Sequence, residues 1–355
     1  MSDITIEKVF DALKGVKDPE LDRDLVELDM IRDVRVDGKR VYLRLVLTTP
    51  ACPLKKVLEE SVRRAIVSKI PSIESVEVAL DSSVKISPKK PNLLPNVKNI
   101  IVVASGKGGV GKSTVALNLA VAMSSFGANV GLLDADIYGP SIPIMIGNTA
   151  KPDISSNKKI IPIAAFGLKV MSIGFFTDPD TAVIWRGPLI ASAVSQLVGD
   201  TDWGELDYLF MDLPPGTGDV QLTIAQQMFP TGAVLVTTPQ SVAVSEVVRT
   251  KTMFEKVNIP LLGIMENMSY FICPECKSEH RIFGAGGAKA FSERYNVPML
   301  GEIPMSLGLR SSGDEGIPIV SGDDEKEIKD VFISAASKLA AIISIRNDSG
   351  KGRGE

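Results

Sequence analysis

"IIVVASGKGGVGKSTVALNLAVAMSSF", residues 100–126, decides the architecture of most of the chain. A continuous apolar run leads into a glycine-rich turn, and a stretch with helical spacing follows it. The turn carries Gly106, Gly111, Lys112 and Ser113 at the spacing of a phosphate-binding P-loop. Such a loop works because successive backbone N–H groups point inward at phosphate oxygens, and the N-terminus of the next helix adds its dipole. Gly106, Gly108, Gly109 and Gly111 stand where the chain must bend tightly and approach oxygen closely. Lys112 is the expected cation for the β- and γ-phosphates, and Ser113 the expected Mg²⁺ ligand.

Downstream, the pattern of short apolar runs separated by helical stretches continues. Residues 130–134 (VGLLD), 208–212 (YLFMD), 233–238 (AVLVTT) and 261–266 (LLGIME) read as strands buried on both faces. Alternation of this kind predicts an α/β fold: a mostly parallel sheet flanked by helices, with ligands at the carboxyl ends of its strands. Two carboxylate clusters fall at such ends. "LLDADIYGPS" (132–141) places Asp134 and Asp136, and "YLFMDLPPGTGD" (208–219) places Asp212 as the Walker-B carboxylate. Aspartates at strand ends are often turn residues, but three beside a P-loop suit Mg²⁺ and water positioning in phosphoryl transfer. The glycines of "PPGTGD" could sense a γ-phosphate through their backbone N–H groups.

The rest of the chain divides around this domain. Residues 1–81 read as a small α/β unit in the order helix, two strands, helix, strand. Residues 82–98, with three prolines and four lysines, read as a linker. The P-loop domain is expected over 99–346, ending in an amphipathic helix at 328–345, and 347–355 is expected to be a polar, disordered tail. Hydrophobic residues form 45% of the 355-residue chain, enough for a sizeable core. A net charge of −4 without long single-sign runs gives no electrostatic footprint for nucleic acid. No apolar stretch approaches the ~20 residues needed to cross a bilayer, and the N-terminus lacks a signal-peptide pattern. With three cysteines, the expectation is a cytoplasmic protein without a disulfide framework.

The P-loop holds one lysine more than phosphate binding requires. Lys-Gly-Gly-x-Gly-Lys-Ser/Thr resembles the deviant Walker-A ATPases, the class of MinD, ParA and the nitrogenase iron protein. That resemblance implies that Lys107 reaches across a homodimer interface to phosphates bound by the partner. Further on, Cys273 and Cys276 make a Cys-x-x-Cys that is open to several readings: a redox dithiol, half a zinc ribbon with His280 as third ligand, or a half-site completed by another chain. Two chains would supply four thiolates, enough for one [4Fe–4S] cluster.

Taken together, "SGKGGVGKST", "LLDADIYGPS", "WRGPL", "DYLFMDLPPGTGD", "TTPQ", "ENMSYFICPEC" and "FGAGG" closely resemble the Mrp/ApbC iron–sulfur cluster carrier ATPases. In the front unit, "DPELDRDLVELDMIRDV" and "LTTPACPL" resemble the small iron–sulfur-assembly domain that precedes many of them. The resemblance implies a P-loop NTPase in which Gly106, Gly108, Gly109, Val110, Gly111, Lys112, Ser113 and Thr114 bind ATP. It implies that Lys107, Lys112 and Asp136 act in catalysis, with Asp136 orienting the attacking water. Asp134 and Asp212 would join Ser113 at Mg²⁺, Asn267 would contact adenine, and Cys273 and Cys276 would hold a cluster, expected as 4Fe-4S, between two chains. Cys52 is a candidate accessory ligand or sulfur acceptor, and Trp185 and Arg186 match the pattern without an assignable role. Apo iron–sulfur proteins and cluster-assembly scaffolds are the implied partners, with no membrane and no nucleic acid. The competing expectations are a nitrogenase-iron-protein-like reductase, and a positioning ATPase whose cysteines bind structural zinc.

Overall fold

The computed structural model describes residues 4–19, 21–52, 54–84, 93–177, 187–216, 218–322 and 325–349. Trp185, Arg186 and linker residues 85–92 lie outside those residues. The chain forms two compact units, Met1–Lys85 with Ala340–Glu355, and Ile86–Leu339.

In the smaller unit, helix α1 (Ile6–Leu13) starts at Thr5, whose side chain accepts the Lys8 N–H. Two-residue strands β1 (Lys17–Asp18) and β2 (Arg23–Asp24) form a short antiparallel ladder that the hydrophobic pattern did not signal. Strands β3 (Ile31–Asp37) and β4 (Arg40–Leu47) make a hairpin closed by Asp37 opposite Arg40, with Gly38 at φ +60°. Helix α2 (Lys55–Lys69) then carries the chain to β5 (Ser75–Ser82), which lies parallel to β4. Alternate β4 residues Val41, Leu43 and Leu45 pack with Val9, Leu13, Leu58, Val62 and Ile66 in one core. Cys52 sits in that core at 6% exposure, which suits a packing residue better than a sulfur acceptor.

The larger unit begins with β6 (Val97–Ser105), so the last two residues assigned to the linker are strand. There follow α3 (Lys112–Ser125), β7 (Val130–Asp134), α4 (Ile142–Met145), β8 (Ile163–Ala165), β9 (Leu168–Ser172), α5 (Gly187–Asp200), β10 (Leu206–Asp212) and α6 (Asp219–Met228). Next come β11 (Gly232–Thr237), α7 (Ser241–Lys256), β12 (Leu261–Glu266), the two-residue strands β13 (Phe271–Ile272) and β14 (Glu279–His280), α8 (Gly287–Tyr295), β15 (Met299–Glu302), α9 (Leu307–Glu315) and α10 (Lys326–Ser349), of which the part from Ala340 onward belongs to the smaller unit. The main sheet has the order β15-β12-β11-β6-β10-β7-β9-β8, parallel throughout except for β8 against β9. All five expected strands are present and buried. Two further parallel strands, β9 and β15, and the edge strand β8 extend the sheet.

Strand β6 occupies the switch point of this order. The chain leaves it toward β7 on one side and later returns to β11 on the other, which opens a crevice at the carboxyl end of β6. Register then aligns the carboxylates: Asp212 of β10 pairs with Asp134 of β7, and Asp134 with Ser172 of β9. Helix α3 is apolar around its circumference and buried from Val115 to Met123, so the P-loop stands on a rigid base.

Helix α10 runs on to Ser349, past the expected start of the tail. Asn347 is 4% exposed and Asp348 pairs with Arg23 at 2.8 Å, contacts that hold the last turn. Among the described residues, no helix is long and apolar enough to cross a membrane.

Candidate functional site

The turn after β6 is shaped by what its glycines permit. Gly111, the residue before α3, has φ +80°, and a Cβ there would collide with Nδ2 of Asn267. At Gly106 a Cβ would come within 2.5 Å of the Glu246 backbone. The loop borders a cavity of about 300 Å³, lined by Lys107, Lys112, Ser113, Thr114, Asp136 and Met145 among others. Lys107 is exposed at its rim.

Lys112 is buried, with Nζ 2.5 Å from Oδ1 of Asp212 and 3.6 Å from Oδ2 of Asp136. The other oxygen of Asp212 and Oδ1 of Asp136 are buried and have no partner among the described residues. Two buried acceptors without donors, one of them on a residue that lines the phosphate cavity, suit a cation or ordered water. Burial pushes the Asp136 carboxyl above the ordinary carboxylate range, against the pull of Lys112.

Asp134 behaves differently from the Mg²⁺ ligand expected of it. Its Oδ1 accepts the Asp136 N–H at 3.1 Å, and its Oδ2 accepts the Ile142 N–H at 3.2 Å and the Ser172 hydroxyl at 3.0 Å. With both oxygens occupied and the side chain fully buried, it fastens the loop that presents Asp136. Burial first, and the charge of Asp212 second, push its carboxyl up to about 7, with Lys112 opposing.

Asn267 also holds the loop: Nδ2 donates to the Val110 carbonyl at 2.9 Å, while Oδ1 accepts the Met268 N–H. The position expected at adenine is therefore a buttress of the P-loop. Gly216, expected to offer its N–H to a γ-phosphate, gives it to the Ser105 carbonyl at 2.9 Å. Gln221 lies beneath this segment and donates to the Pro215 carbonyl at 2.6 Å. Neither Ser172 nor Gln221 belongs to a motif; only strand pairing and helix packing bring them here.

Six residues beyond Asn267, Cys273 opens a small hairpin. Phe271 pairs with His280 and Ile272 with Glu279; the Cys273 N–H donates to the Ser278 carbonyl, and the Lys277 N–H donates to the Cys273 carbonyl. Cys276 is exposed, with Sγ 3.4 Å from Oγ of Ser278. Hydrogen bonding to Ser278, by hydroxyl and then backbone, lowers its thiol to about 7, with smaller help from Cys273 and His280. Among the described residues, no three His, Cys, Asp or Glu side chains converge as a metal site. Cys273, Cys276 and His280 therefore do not form a ready three-ligand zinc centre within one chain.

Two family descriptions match the chain: a NUBPL iron-transfer P-loop NTPase over residues 96–340, and an iron–sulfur cluster assembly protein over 6–80. An iron–sulfur cluster carrier protein of Synechocystis is 45% identical over 349 residues, covering 96% of this chain and 99% of that protein. A nucleotide-binding protein of Archaeoglobus fulgidus, solved with ADP, is 41% identical at a TM-score of 0.58, covering 65% of this chain and 91% of that one. The cell-division ATPase MinD of Pyrococcus furiosus, 23% identical with a TM-score of 0.51, covers 68% of this chain and 98% of its own, and shares the fold.

Proposed function

The chain belongs to the NUBPL-type iron-transfer P-loop NTPase family, and on that premise we propose that it is an ATP-hydrolysing carrier that passes an iron–sulfur cluster to apo-proteins. The observation that carries this reading is the placement of Cys273 and Cys276. They form a thiol pair, Cys273 half-buried and Cys276 exposed with a lowered pKa, on a hairpin that begins six residues from the side chain that holds the P-loop. Cargo and nucleotide thus address one rigid segment of the larger unit.

Two thiolates per chain leave a four-thiolate cluster half ligated, and Cys52 is buried in the other unit. The finer reading is a homodimer in which both chains contribute Cys273 and Cys276 to one [4Fe–4S] cargo. In that dimer Lys107 extends to the nucleotide of the partner, and Asp136 orients the attacking water. Asn267 buttresses the loop and stands ready to reach adenine once nucleotide is bound. Mg²⁺ would be held by Ser113 and by Asp212, whose Oδ2 is buried without a partner among the described residues, and would neutralise phosphate charge. Cluster-assembly scaffolds would load the carrier. Its free cysteines fit the reducing cytoplasm.

Anaerobic reconstitution tests the reading. The expected result is about four irons per two chains, transferable to an apo-ferredoxin and lost in Cys273→Ala or Cys276→Ala while ATP turnover continues. One tightly bound zinc per chain, sensitive to His280→Ala and with no transferable iron, would overturn it.

A further inference from the structure

We infer that Ser172 is a positioning residue for ATP hydrolysis, acting through Asp134 on the loop that presents Asp136. The inference rests on the reading that Asp136 orients the attacking water.

The geometry is a chain of directed hydrogen bonds. Ser172 ends β9 directly opposite Asp134 at the end of β7, and both side chains are fully buried. The Ser172 oxygen accepts the Gly174 N–H at 3.0 Å, so its single proton is left to point at Oδ2 of Asp134, also at 3.0 Å. Asp134 in turn grips both ends of the following loop, the Asp136 N–H on one oxygen and the Ile142 N–H on the other. Between these grips lie Asp136 and Ser141, both facing the phosphate cavity.

The segment after Ser172 closes the same loop from outside. A Cβ at Gly174 would lie 3.1 Å from both Pro140 Cβ and Pro143 Cγ, so the two prolines rest directly on this backbone. The loop is therefore set between a carboxylate within and a glycine without, and the Ser172 hydroxyl joins the two. Without that hydroxyl, Asp134 keeps its two backbone donors but loses the side-chain donor that fixes the plane of its carboxylate. The Asp136 N–H, held by the same group, is free to shift. Displacement of a catalytic group by ~1 Å costs on the order of 100-fold in rate.

Steady-state ATPase kinetics, with nucleotide affinity measured separately, test this. Ser172→Ala is expected to lower kcat about 10- to 100-fold while KM and ATP affinity stay within about twofold. Ser172→Thr keeps the hydroxyl and is expected to restore most of the rate. Ser172→Cys, close in size with a weaker donor, is expected to fall between, and serves if the alanine variant does not fold. In an Asp136→Ala background, Ser172→Ala should produce no further loss. Wild-type turnover in Ser172→Ala, or loss of ATP affinity in proportion to kcat, would overturn the inference. Wild-type turnover in Asp136→Ala alone would instead remove the premise about Asp136.

Discussion

Lys112 Nζ lies 2.5 Å from Oδ1 of Asp212, and both side chains are buried at the carboxyl end of the sheet. The lysine that phosphate binding requires thus also neutralises the carboxylates beneath the phosphate site. Asp136 is 3.6 Å from the same nitrogen, and the Lys112 charge pulls down the raised carboxyl of Asp134.

Lys112→Ala is therefore expected to lose stability as well as nucleotide. Removing one partner of a buried pair costs about 3–5 kcal/mol. The pH dependence has a definite sign. Asp134 titrates at about 7 in the fold against 3.8 for the ordinary group, so the unfolded chain gives up its proton first. That contribution to stability is fully present at low pH and is lost as pH rises toward 7. Without Lys112 the folded value moves higher still. Urea midpoints should show a larger deficit for Lys112→Ala at pH 8 than at pH 5; an equal deficit at both would refute this account.

Lys107 makes the opposite case. It is exposed at the rim of the cavity that Lys112 enters from below. Lys107→Ala is expected to keep ATP affinity within about twofold and to abolish ATP-promoted dimerisation. Its turnover should fall by about 1,000-fold, the scale of a trans-acting cation in phosphoryl transfer. ATPase assays paired with light scattering would check it, and wild-type turnover would sink the trans role.

The legible part of this molecule was the part in which sequence neighbours do the work. The P-loop, its strand and its helix are contiguous, and five strands announced themselves because both of their faces are buried. β9 and β15 did not, because Lys169 interrupts the apolar run of one and the other is only four residues long and largely half-buried, so both rely on pairing with β7 and β12. The site was legible as a set of residues but less so as a set of roles. Asp134 and Asp136 look equivalent in "DAD", yet burial and three donors make one of them a clamp. Ser172 was invisible because its meaning lies entirely across the sheet. Asn267 was found, but its partner at Val110 is 157 positions away.

Asp136→Ala removes the group proposed to orient the attacking water while leaving Lys112, Asp212 and the P-loop backbone in place. Nucleotide binding should survive and hydrolysis should stop, so ATP and Mg²⁺ should hold the protein as a dimer on size-exclusion chromatography. A monomer with fast turnover would refute both the role and the arrangement.

The cysteine hairpin offers a test that needs neither metal nor nucleotide. Cys276 is exposed, and its thiol is lowered to about 7 chiefly by Ser278. The thiolate is the nucleophile, so alkylation by iodoacetamide should rise with pH through a midpoint near 7 and level off above it. Ser278→Ala removes the hydroxyl contribution and should move that midpoint upward, making Cys276 slower at pH 7 but equally reactive at pH 10. Both cysteines lie on one tryptic peptide, so cleavage after Glu275 by a glutamyl endopeptidase before mass spectrometry separates Cys276 from Cys273, and buried Cys52 should react slowly in both proteins. A Cys276 midpoint unchanged by Ser278→Ala would show that the Ser278 hydroxyl does not tune this thiol.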